Sequence, residues 1–273
     1  MRHPIRWSLR QATAGLRLSP SFLIIGAQKA GTSSLHAQLV RHPQVLASRI
    51  KEVHYFDLNY QRGFDWYRSF FPTRFRAALS AFRSGGQGIT GESSPYYLFH
   101  PHAPGRVNRD LPGIPLIVLL RDPVERAYSH YHHSFRHGLE QLTFAEALAR
   151  EEERIGPDHE KLRVDEHWPA ENLRNFSYRS RGVYVDQLMR WMPEFNSQRL
   201  LVLRSEDYFA DPGMSLARVL EFLHLEPWRP GRFAVRNRGV YKHQTTPQHE
   251  ELRAYYAPHN QRLAGWLGFD PGW

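Results

Sequence analysis

The chain has 273 residues, of which 41% are hydrophobic, and its formal net charge is +9. It is long enough to bury one sizeable core, and its lack of cysteine excludes disulfides and thiolate chemistry. The positive charge favours an anionic ligand. Nucleic acid is not the expected partner, because the sequence has no zinc-finger spacing, RNA-binding aromatic motif or basic heptad repeat.

The first 20 residues form a basic tail that we separate from the remainder, residues 21–273. Arginines alternate there with Ile, Trp and Leu, so the tail can make a weak peripheral contact with an anionic membrane. It lacks the apolar core and the small-residue cleavage site of a secretory signal. No stretch of the sequence reaches the length of a membrane span. We expect a loosely docked tail and no transmembrane segment.

Residues 22–34 carry the most informative pattern in the chain. A short apolar run is followed by a loop between Gly26 and Gly31, and hydroxyl residues then open a helical pattern. A strand, loop and helix of this kind form a phosphate cradle, because the glycines let backbone N–H groups approach an anion at the positive end of the helix. The residues of the predicted cradle are Gln28, Lys29, Ala30, Gly31, Thr32, Ser33 and Ser34.

The lysine of this loop is displaced from its position in an ATP-binding loop. The Walker A pattern G-x-x-x-x-G-K-[ST] has its lysine after the second glycine. Here Thr32 follows Gly31, and Lys29 lies inside the loop. The displacement weakens the prediction of a Mg²⁺-dependent triphosphatase. A P-loop kinase and a non-enzymatic module that binds polyanions stay open as alternatives.

Two candidate proton acceptors lie in residues 51–57. Glu52 and His54 are two residues apart, so they share one face of an extended segment. Either side chain could take a proton from an attacking hydroxyl. The segment therefore predicts general-base chemistry near the phosphate cradle.

A second candidate phosphate site follows the apolar run at 116–120. Arg121 stands at the carboxyl end of this predicted strand, where its guanidinium can hold a phosphate through two hydrogen bonds. Ser129, two helical turns later, could donate another bond to the same group. The alternative is an arginine that pairs with Asp122 or with a nearby glutamate.

Three histidines recur at helical spacing after this site, at His130, His133 and His137. Imidazoles spaced in this way could in principle bind zinc. No carboxylate accompanies them in the pattern, so we predict no metal site and a solvated helix face.

Strand-like runs alternate with helical patterns along most of the chain. The runs cover residues 22–25, 116–120 and 200–203, with a weaker one around Ile89, and the helical patterns cover about residues 32–41, 101–111, 122–137, 143–154, 182–192, 212–224 and 247–266. This alternation predicts a single α/β domain, a P-loop-like parallel sheet with helices on both faces. Its sites should gather at the carboxyl ends of the strands. Polar residues 156–181 are expected to form a surface excursion.

Several of these segments resemble motifs of sulfotransferases that use 3′-phosphoadenosine 5′-phosphosulfate (PAPS), most closely those of the heparan-sulfate and glycan branch. The loop is similar to Gly-x-x-Lys-x-Gly-Thr, residues 121–129 to R-D-P-x-x-R-x-x-S, and residues 51–57 to K/N-E-h-x-F-F-D/N. Matching stretches run from about residue 21 to 268. The resemblance implies in-line transfer of a sulfuryl group from PAPS to a hydroxyl, or an amine, of a carbohydrate-like acceptor, with no metal.

The resemblance also implies catalytic roles for individual residues. Lys29 would stabilise the leaving 5′-phosphate, and Glu52 would be the general base. His54 is the competing base, because small-molecule sulfotransferases use a histidine.

Contacts with PAPS are implied at four places. The loop residues 28–34 would bind the 5′-phosphosulfate, and Arg121 and Ser129 would grip the 3′-phosphate. Tyr184 resembles a position near the cofactor at a helix start. A late segment resembles the family's K-G-R loop, which closes over the cofactor, and includes Arg238, Gly239 and Lys242.

The identity of the acceptor is left open by one departure from the heparan pattern. Ser93 stands where heparan enzymes usually have a lysine in the segment E-K-[ST]-x-x-Y, so the acceptor can be a small molecule or an oligosaccharide. Glycan sulfotransferases of the Golgi carry a membrane anchor, and nothing in this sequence replaces it. We therefore expect a cytoplasmic, bacterial enzyme.

Overall fold

A parallel β-sheet forms the centre of the molecule. The computed structural model describes residues 4–233 and 246–273. Within these residues the strands are β1 (Phe22–Gly26), β2 (Val45–Ala47), β3 (Ile89–Ser93), β4 (Leu116–Leu120) and β5 (Leu200–Arg204). They lie in the order β2-β3-β1-β4-β5, and every neighbouring pair is parallel. The predicted α/β fold is confirmed.

Helices connect the strands and continue beyond β5. In the described part of the chain they are α1 (Pro4–Ala12), α2 (Thr32–Leu39), α3 (Tyr55–Leu58), α4 (Phe64–Arg68), α5 (Arg74–Ser84), α6 (Ala103–Asp110), α7 (Pro123–Arg136), α8 (Phe144–Ala149), α9 (Glu151–Val164), α10 (Glu171–Phe176), α11 (Tyr184–Trp191), α12 (Ser205–Ala210), α13 (Pro212–Phe222) and α14 (Pro247–Leu267). Each predicted helical pattern has a counterpart among them. None of these helices is long and apolar enough to cross a bilayer.

The two central strands are buried along their whole length. Every residue of β1 and of β4 is inaccessible to solvent or nearly so. Because successive side chains of a strand point to opposite faces, both faces of the sheet must be covered. These continuous apolar runs are therefore typical of parallel strands between two layers of helices.

The prediction of a polar surface excursion at residues 156–181 is wrong. The segment contains most of α9 and all of α10, and Leu162 and Leu173 belong to a second hydrophobic cluster with Tyr96 and Phe99. Asp158 fixes the two helices to each other, since it accepts hydrogen bonds from the Trp168 indole at 2.8 Å and from the Leu173 N–H at 3.0 Å. The segment is a helical unit packed on the chain that follows β3.

The N-terminal segment is held more closely than the loose tail expected from its sequence. The guanidinium of Arg17 is largely buried and donates to the Phe71 carbonyl at 3.0 Å, and Arg10 donates to the Ser69 carbonyl at 2.7 Å. Arg17 also forms an isolated antiparallel bridge with Thr73.

The strand order places a crevice at the carboxyl ends of β1 and β4. The chain leaves β1 toward β2 on one side of the sheet and leaves β4 toward β5 on the other side. Open α/β sheets bind ligands at such a switch point, outside the carboxyl ends of the strands. The loop at residues 27–31 and the segment that starts at Arg121 meet there.

Candidate active site

The loop after β1 has the backbone conformation of an anion-binding turn. Lys29 has a φ of 72° and Gly31 a φ of 100°, both in the left-handed region. Gly31 is the N-cap of α2, and a Cβ added there would lie 3.0 Å from the Phe209 ring. Glycine is therefore required by both conformation and space. The first turn of α2 starts at the crevice, and its N–H groups and dipole favour an anion.

Positive charge is concentrated around Lys29. Burial, followed by repulsion from Arg136, Arg121 and Arg126, lowers the pKa of the Lys29 amine to about 8. Among the described residues, no carboxylate forms an ion pair with Lys29 or with Arg126, and the Nε and Nη1 atoms of the fully buried Arg126 have no hydrogen-bond partner. A largely buried amine and a buried guanidinium without a paired acid fit a bound anion.

The two predicted phosphate sites are in direct contact. One guanidinium nitrogen of Arg121 donates to the Lys29 carbonyl at 3.3 Å, and the other lies 3.3 Å from a Glu125 oxygen. The glutamate pairing considered from the sequence is thus present, but it leaves Arg121 beside the loop. The Tyr184 hydroxyl donates to the Arg121 carbonyl at 2.8 Å. Ser129 is buried two turns along α7.

The side chains of residues 51–57 form a chain of hydrogen bonds. Glu52 accepts from the Lys51 amine at 2.6 Å, and its other oxygen lies 3.3 Å from the Nε2 of His54. The Nδ1 of His54 lies 2.8 Å from an Asp57 carboxylate oxygen. The imidazole therefore bridges two carboxylates, and each of its nitrogens faces an acceptor.

The hydrogen bonds among these side chains shift the pKa values of Glu52 and His54. Burial acts to lower the pKa of His54, but hydrogen bonds from its ring to Asp57 and Glu52 outweigh burial and raise the pKa to about 10. Burial acts to raise the pKa of Glu52, but His54 and Lys51 outweigh it and lower the pKa to about 2. At neutral pH the pair is an imidazolium beside a carboxylate.

A fully buried carboxylate lies beneath this segment. Glu92 accepts hydrogen bonds from the hydroxyls of Tyr97 at 2.7 Å and Tyr67 at 2.8 Å. It also accepts from the backbone N–H of Val53 at 2.9 Å, between the two candidate bases. Burial raises the pKa of Glu92 to about 7, although these donors oppose the rise. Glu92 ties the backbone of the candidate bases to the end of β3.

A cavity of about 160 Å³ joins residues 51–57 to the loop after β1. Its lining includes Gln28, Glu52, His54, Tyr96, His133 and Arg181. Arg181 is buried, donates to the Gln28 side chain at 2.5 Å and stacks on the Tyr96 ring. A larger cavity of about 370 Å³ lies beside Pro115 and Arg199, before the first residues of β4 and β5. This cavity lies at the amino ends of these strands, whereas open α/β sheets bind their ligands at the carboxyl ends.

The sequence pattern of the sulfotransferase domain family matches residues 19–232. The chain belongs to this family. It is 30% identical to human heparan sulfate glucosamine 3-O-sulfotransferase 6 over 95% of this chain and 75% of that protein. It is 28% identical to mouse bifunctional heparan sulfate N-deacetylase/N-sulfotransferase 4 over 83% of this chain and 24% of that protein. The resemblance to the heparan-sulfate branch is thereby confirmed.

A solved sulfotransferase from Alicyclobacillus acidocaldarius has the same fold as this sulfotransferase domain. The two share 28% identity and a TM-score of 0.69, and the match covers 93% of this chain and 97% of the other. Several curated relatives are longer, since the chain spans only 24% to 66% of their length.

The remaining predicted residues of the sulfotransferase domain lie in different environments. Ala30, Thr32 and Ser34 are buried at the start of α2, and the Ala30 carbonyl accepts a hydrogen bond from Ser205 at 2.9 Å. Ser33 is only partly buried. The predicted late-loop residues, Arg238, Gly239 and Lys242, lie outside the described residues.

The histidine face of α7 is less solvated than predicted. His130 is buried against Tyr178, His133 is half-buried, and only His137 is exposed. Within residues 4–233 and 246–273, no group of three or more His, Cys, Asp or Glu side chains is arranged to hold a metal ion.

Three residues of this site were not assigned a role from the sequence. Asp57 stands three residues after His54 at a helix start, and that spacing could have revealed the pairing. Glu92 stands in a motif, but its hydrogen-bond partners were not predictable, because they come from the turn after β3, from α4 and from the segment before α3. Arg181 reaches the cavity from a region that appeared irregular in the sequence.

Proposed function

We propose that the chain transfers the sulfuryl group of PAPS to a hydroxyl, or an amine, of a carbohydrate-like acceptor by in-line displacement. The observation that carries this proposal is the cavity that Gln28 of the phosphate loop and the Glu52–His54 pair line together. An acceptor in this cavity would contact the base and the loop at once. Such proximity is what a direct transfer between two bound substrates requires.

The positively charged crevice supports PAPS as the donor. Residues 28–34 would hold the 5′-phosphosulfate, and Arg121 with Ser129 would hold the 3′-phosphate. The unpaired nitrogens of Arg126 and the depressed pKa of Lys29 indicate positive charge at these two side chains that a bound anion would stabilise. When bound, PAPS supplies the sulfuryl group and a phosphate leaving group. We also propose that Tyr184, Arg238, Gly239 and Lys242 contribute to its binding.

We assign the general base to Glu52 rather than to His54. His54 carries protons on both nitrogens at neutral pH and faces a carboxylate on each side, so it cannot accept another proton. Glu52 is ionised. In the proposed step the acceptor oxygen forms its bond to sulfur as the bond to the leaving phosphate breaks, and the acceptor proton passes to Glu52. Lys29 stabilises the charge that develops on the phosphate.

The relatives support a carbohydrate-like acceptor without identifying it. Those named above act on heparan sulfate, according to their names. Ser93 lacks the positive charge of the lysine usual in heparan enzymes, and it is buried. We therefore keep both a small molecule and an oligosaccharide within the proposal, and we place the reaction in the cytoplasm, in keeping with a cysteine-free chain.

Transfer of labelled sulfate from PAPS to a panel of sugars, with and without Mg²⁺, tests the proposal. We expect Mg²⁺-independent transfer by the wild type. Lys29→Ala should lose at least about a hundredfold in turnover and still bind adenosine 3′,5′-bisphosphate. Full turnover by Lys29→Ala would contradict the mechanism.

The same preparation separates the alternatives. Consumption of ATP that requires Mg²⁺ would favour a P-loop kinase. Binding of polyanions with a steep salt dependence, and no saturable binding of adenosine 3′,5′-bisphosphate, would favour the polyanion-binding module.

A further inference from the structure

Helix α5 presents apolar side chains to solvent instead of to the core. Phe75, Leu79 and Phe82 are 79%, 42% and 89% exposed. At about 100° per residue they fall within about 60° of one another around the helix axis, so they form one ridge. Ala77, about half a turn away from this ridge, is buried. The helix thus contacts the protein with a small residue and exposes its large ones.

Arginines flank this apolar ridge on both sides. Arg74 and Arg76 lie about 100° to either side of Phe75, and Arg83 lies near Arg76 around the axis. All three are exposed, and within the described residues no hydrogen bond or ion pair holds their guanidinium groups. The sequence of α5 contains no acidic residue.

We propose that α5 docks the protein on an anionic lipid surface. A helix with this pattern lies in the plane of the interface, where its apolar side chains enter the acyl boundary and its arginines contact the headgroups. Negatively charged headgroups complement the free guanidinium groups of α5. The proposal is independent of the reaction at the crevice.

The N-terminal segment has another exposed apolar side chain near the start of α5. Leu16 is 65% exposed and precedes Arg17, whose backbone bridges Thr73, the N-cap of α5. An exposed apolar side chain is therefore adjacent in sequence to the residue that pairs with the N-cap of α5.

A second copy of the chain fits the ridge less well than a lipid surface does. A two-fold contact would bring the same patch of both copies together, and the arginines of one α5 would then face those of the other. Like charges held together in this way oppose association. An anionic bilayer meets both the apolar ridge and its charged flanks.

Flotation of the full chain with lipid vesicles tests the proposal. We expect the protein to float with vesicles of phosphatidylcholine mixed with phosphatidylglycerol and to remain unbound with pure phosphatidylcholine. The double variant Phe75→Ser/Phe82→Ser should bind the anionic vesicles at least about tenfold more weakly. Arg74→Gln/Arg76→Gln/Arg83→Gln should weaken binding about a hundredfold, which is about fivefold for each charge.

A matched control comes from α13, which also exposes one apolar and one basic side chain. Met214 and Arg218 are exposed on that helix, and Met214→Ser/Arg218→Gln should leave vesicle binding unchanged. Circular dichroism and thermal unfolding confirm that each variant is folded.

Three results would overturn the proposal. They are no flotation of the wild type with anionic vesicles, flotation that the α5 variants retain in full, and self-association that the phenylalanine variants abolish without any vesicle binding. The last result would assign α5 to an interface between copies of the chain.

Discussion

Glu52 and His54 divide between them two functions that the sequence left undecided. The position of the imidazole between Glu52 and Asp57 makes it a proton-holding cation, and the same contact leaves Glu52 ionised. In the proposed mechanism, His54 orients Glu52 as the base and screens its charge. A residue of this kind affects catalysis without exchanging the proton itself.

Substitution of the two residues should give different results. Glu52→Gln should lower kcat by about 10²–10⁴-fold, because the amide cannot accept the acceptor proton, with unchanged affinity for adenosine 3′,5′-bisphosphate. His54→Gln should lower kcat less, because the amide can still donate to Glu52. Steady-state kinetics and calorimetric binding measure both effects. A fully active Glu52→Gln together with an inactive His54→Gln would assign the base to His54.

Two buried tyrosines help to hold residues 51–57, and substitutions at the two can be compared directly. Tyr97 and Tyr67 both donate to Glu92, but Tyr97 also accepts a hydrogen bond from the Tyr55 N–H at 2.9 Å, next to His54. Tyr97→Phe should therefore lower both the melting temperature and kcat. Tyr67→Phe should lower the melting temperature alone, since each loss leaves a buried group unsatisfied at a cost of about 1–3 kcal/mol. Equal loss of kcat in both variants would refute a positioning role for Tyr97.

At the scale of elements, close packing between β3 and β1 depends on a glycine. A Cβ added at Gly91 would lie 2.5 Å from the ring of Phe22, whereas the nearest atom to a Cβ at Gly105 in α6 is 3.8 Å away, on Glu194. A side chain therefore has room at Gly105 but not at Gly91, and only Gly91 lies in the central sheet.

Alanine at these two glycines should change stability in opposite directions. Gly91→Ala should destabilise the fold by about 1–3 kcal/mol through overpacking, while Gly105→Ala should stabilise it by about 0.5–1 kcal/mol, because alanine favours a helix interior. Differential scanning calorimetry compares their melting temperatures. An unchanged melting temperature in Gly91→Ala would show that the sheet accommodates the extra carbon.

The same elements show how far the sequence predicts the structure. β1 and β4 were predicted because their apolar runs are continuous, and the loop between Gly26 and Gly31 was predicted because each of its residue types suits an anion. β2 has three residues, too few for a periodic pattern. α5 was not predicted because its large apolar residues face outward.

The residues of the site are easier to predict from the sequence than the distances between them. The proposed roles of Lys29, Glu52 and Arg121 follow from motifs, whereas the contact of Arg121 with the Lys29 carbonyl depends on the strand order. The protonation of His54 depends on partners on both sides of the ring, and only the folded chain fixes those distances.

At the scale of the whole molecule, arginines that are far from Lys29 in the sequence add their positive charge near its amine. Burial, followed by repulsion from Arg136 and Arg126 of α7 and from Arg121 after β4, lowers the pKa of Lys29 to about 8. In the folded chain Lys29 loses its proton above about pH 8. In the unfolded chain it keeps the proton up to about pH 10.5. The unfolded chain therefore binds more protons between these pH values, so the contribution of this lysine to stability rises with pH across that window.

Ligand binding should show the opposite trend. The affinity for adenosine 3′,5′-bisphosphate should fall as the pH rises above about 8, because Lys29 then loses its charge. Lys29→Arg should remove this dependence, since a guanidinium keeps its proton throughout the range. Calorimetric titrations at several pH values compare the two proteins. The same alkaline fall in Lys29→Arg would assign the titration to another group.

The depressed basicity of Lys29 also makes it a selective target for chemical labelling. With a pKa of about 8, about one Lys29 amine in ten is unprotonated at pH 7, compared with about one in a few thousand for an ordinary lysine. Lys51 is held by Glu52, and Lys161 stacks on Trp168. A mild acylating reagent should therefore modify Lys29 in preference to these two. A nucleotide bound in the crevice should protect Lys29 from the reagent, and peptide mass mapping would detect this protection.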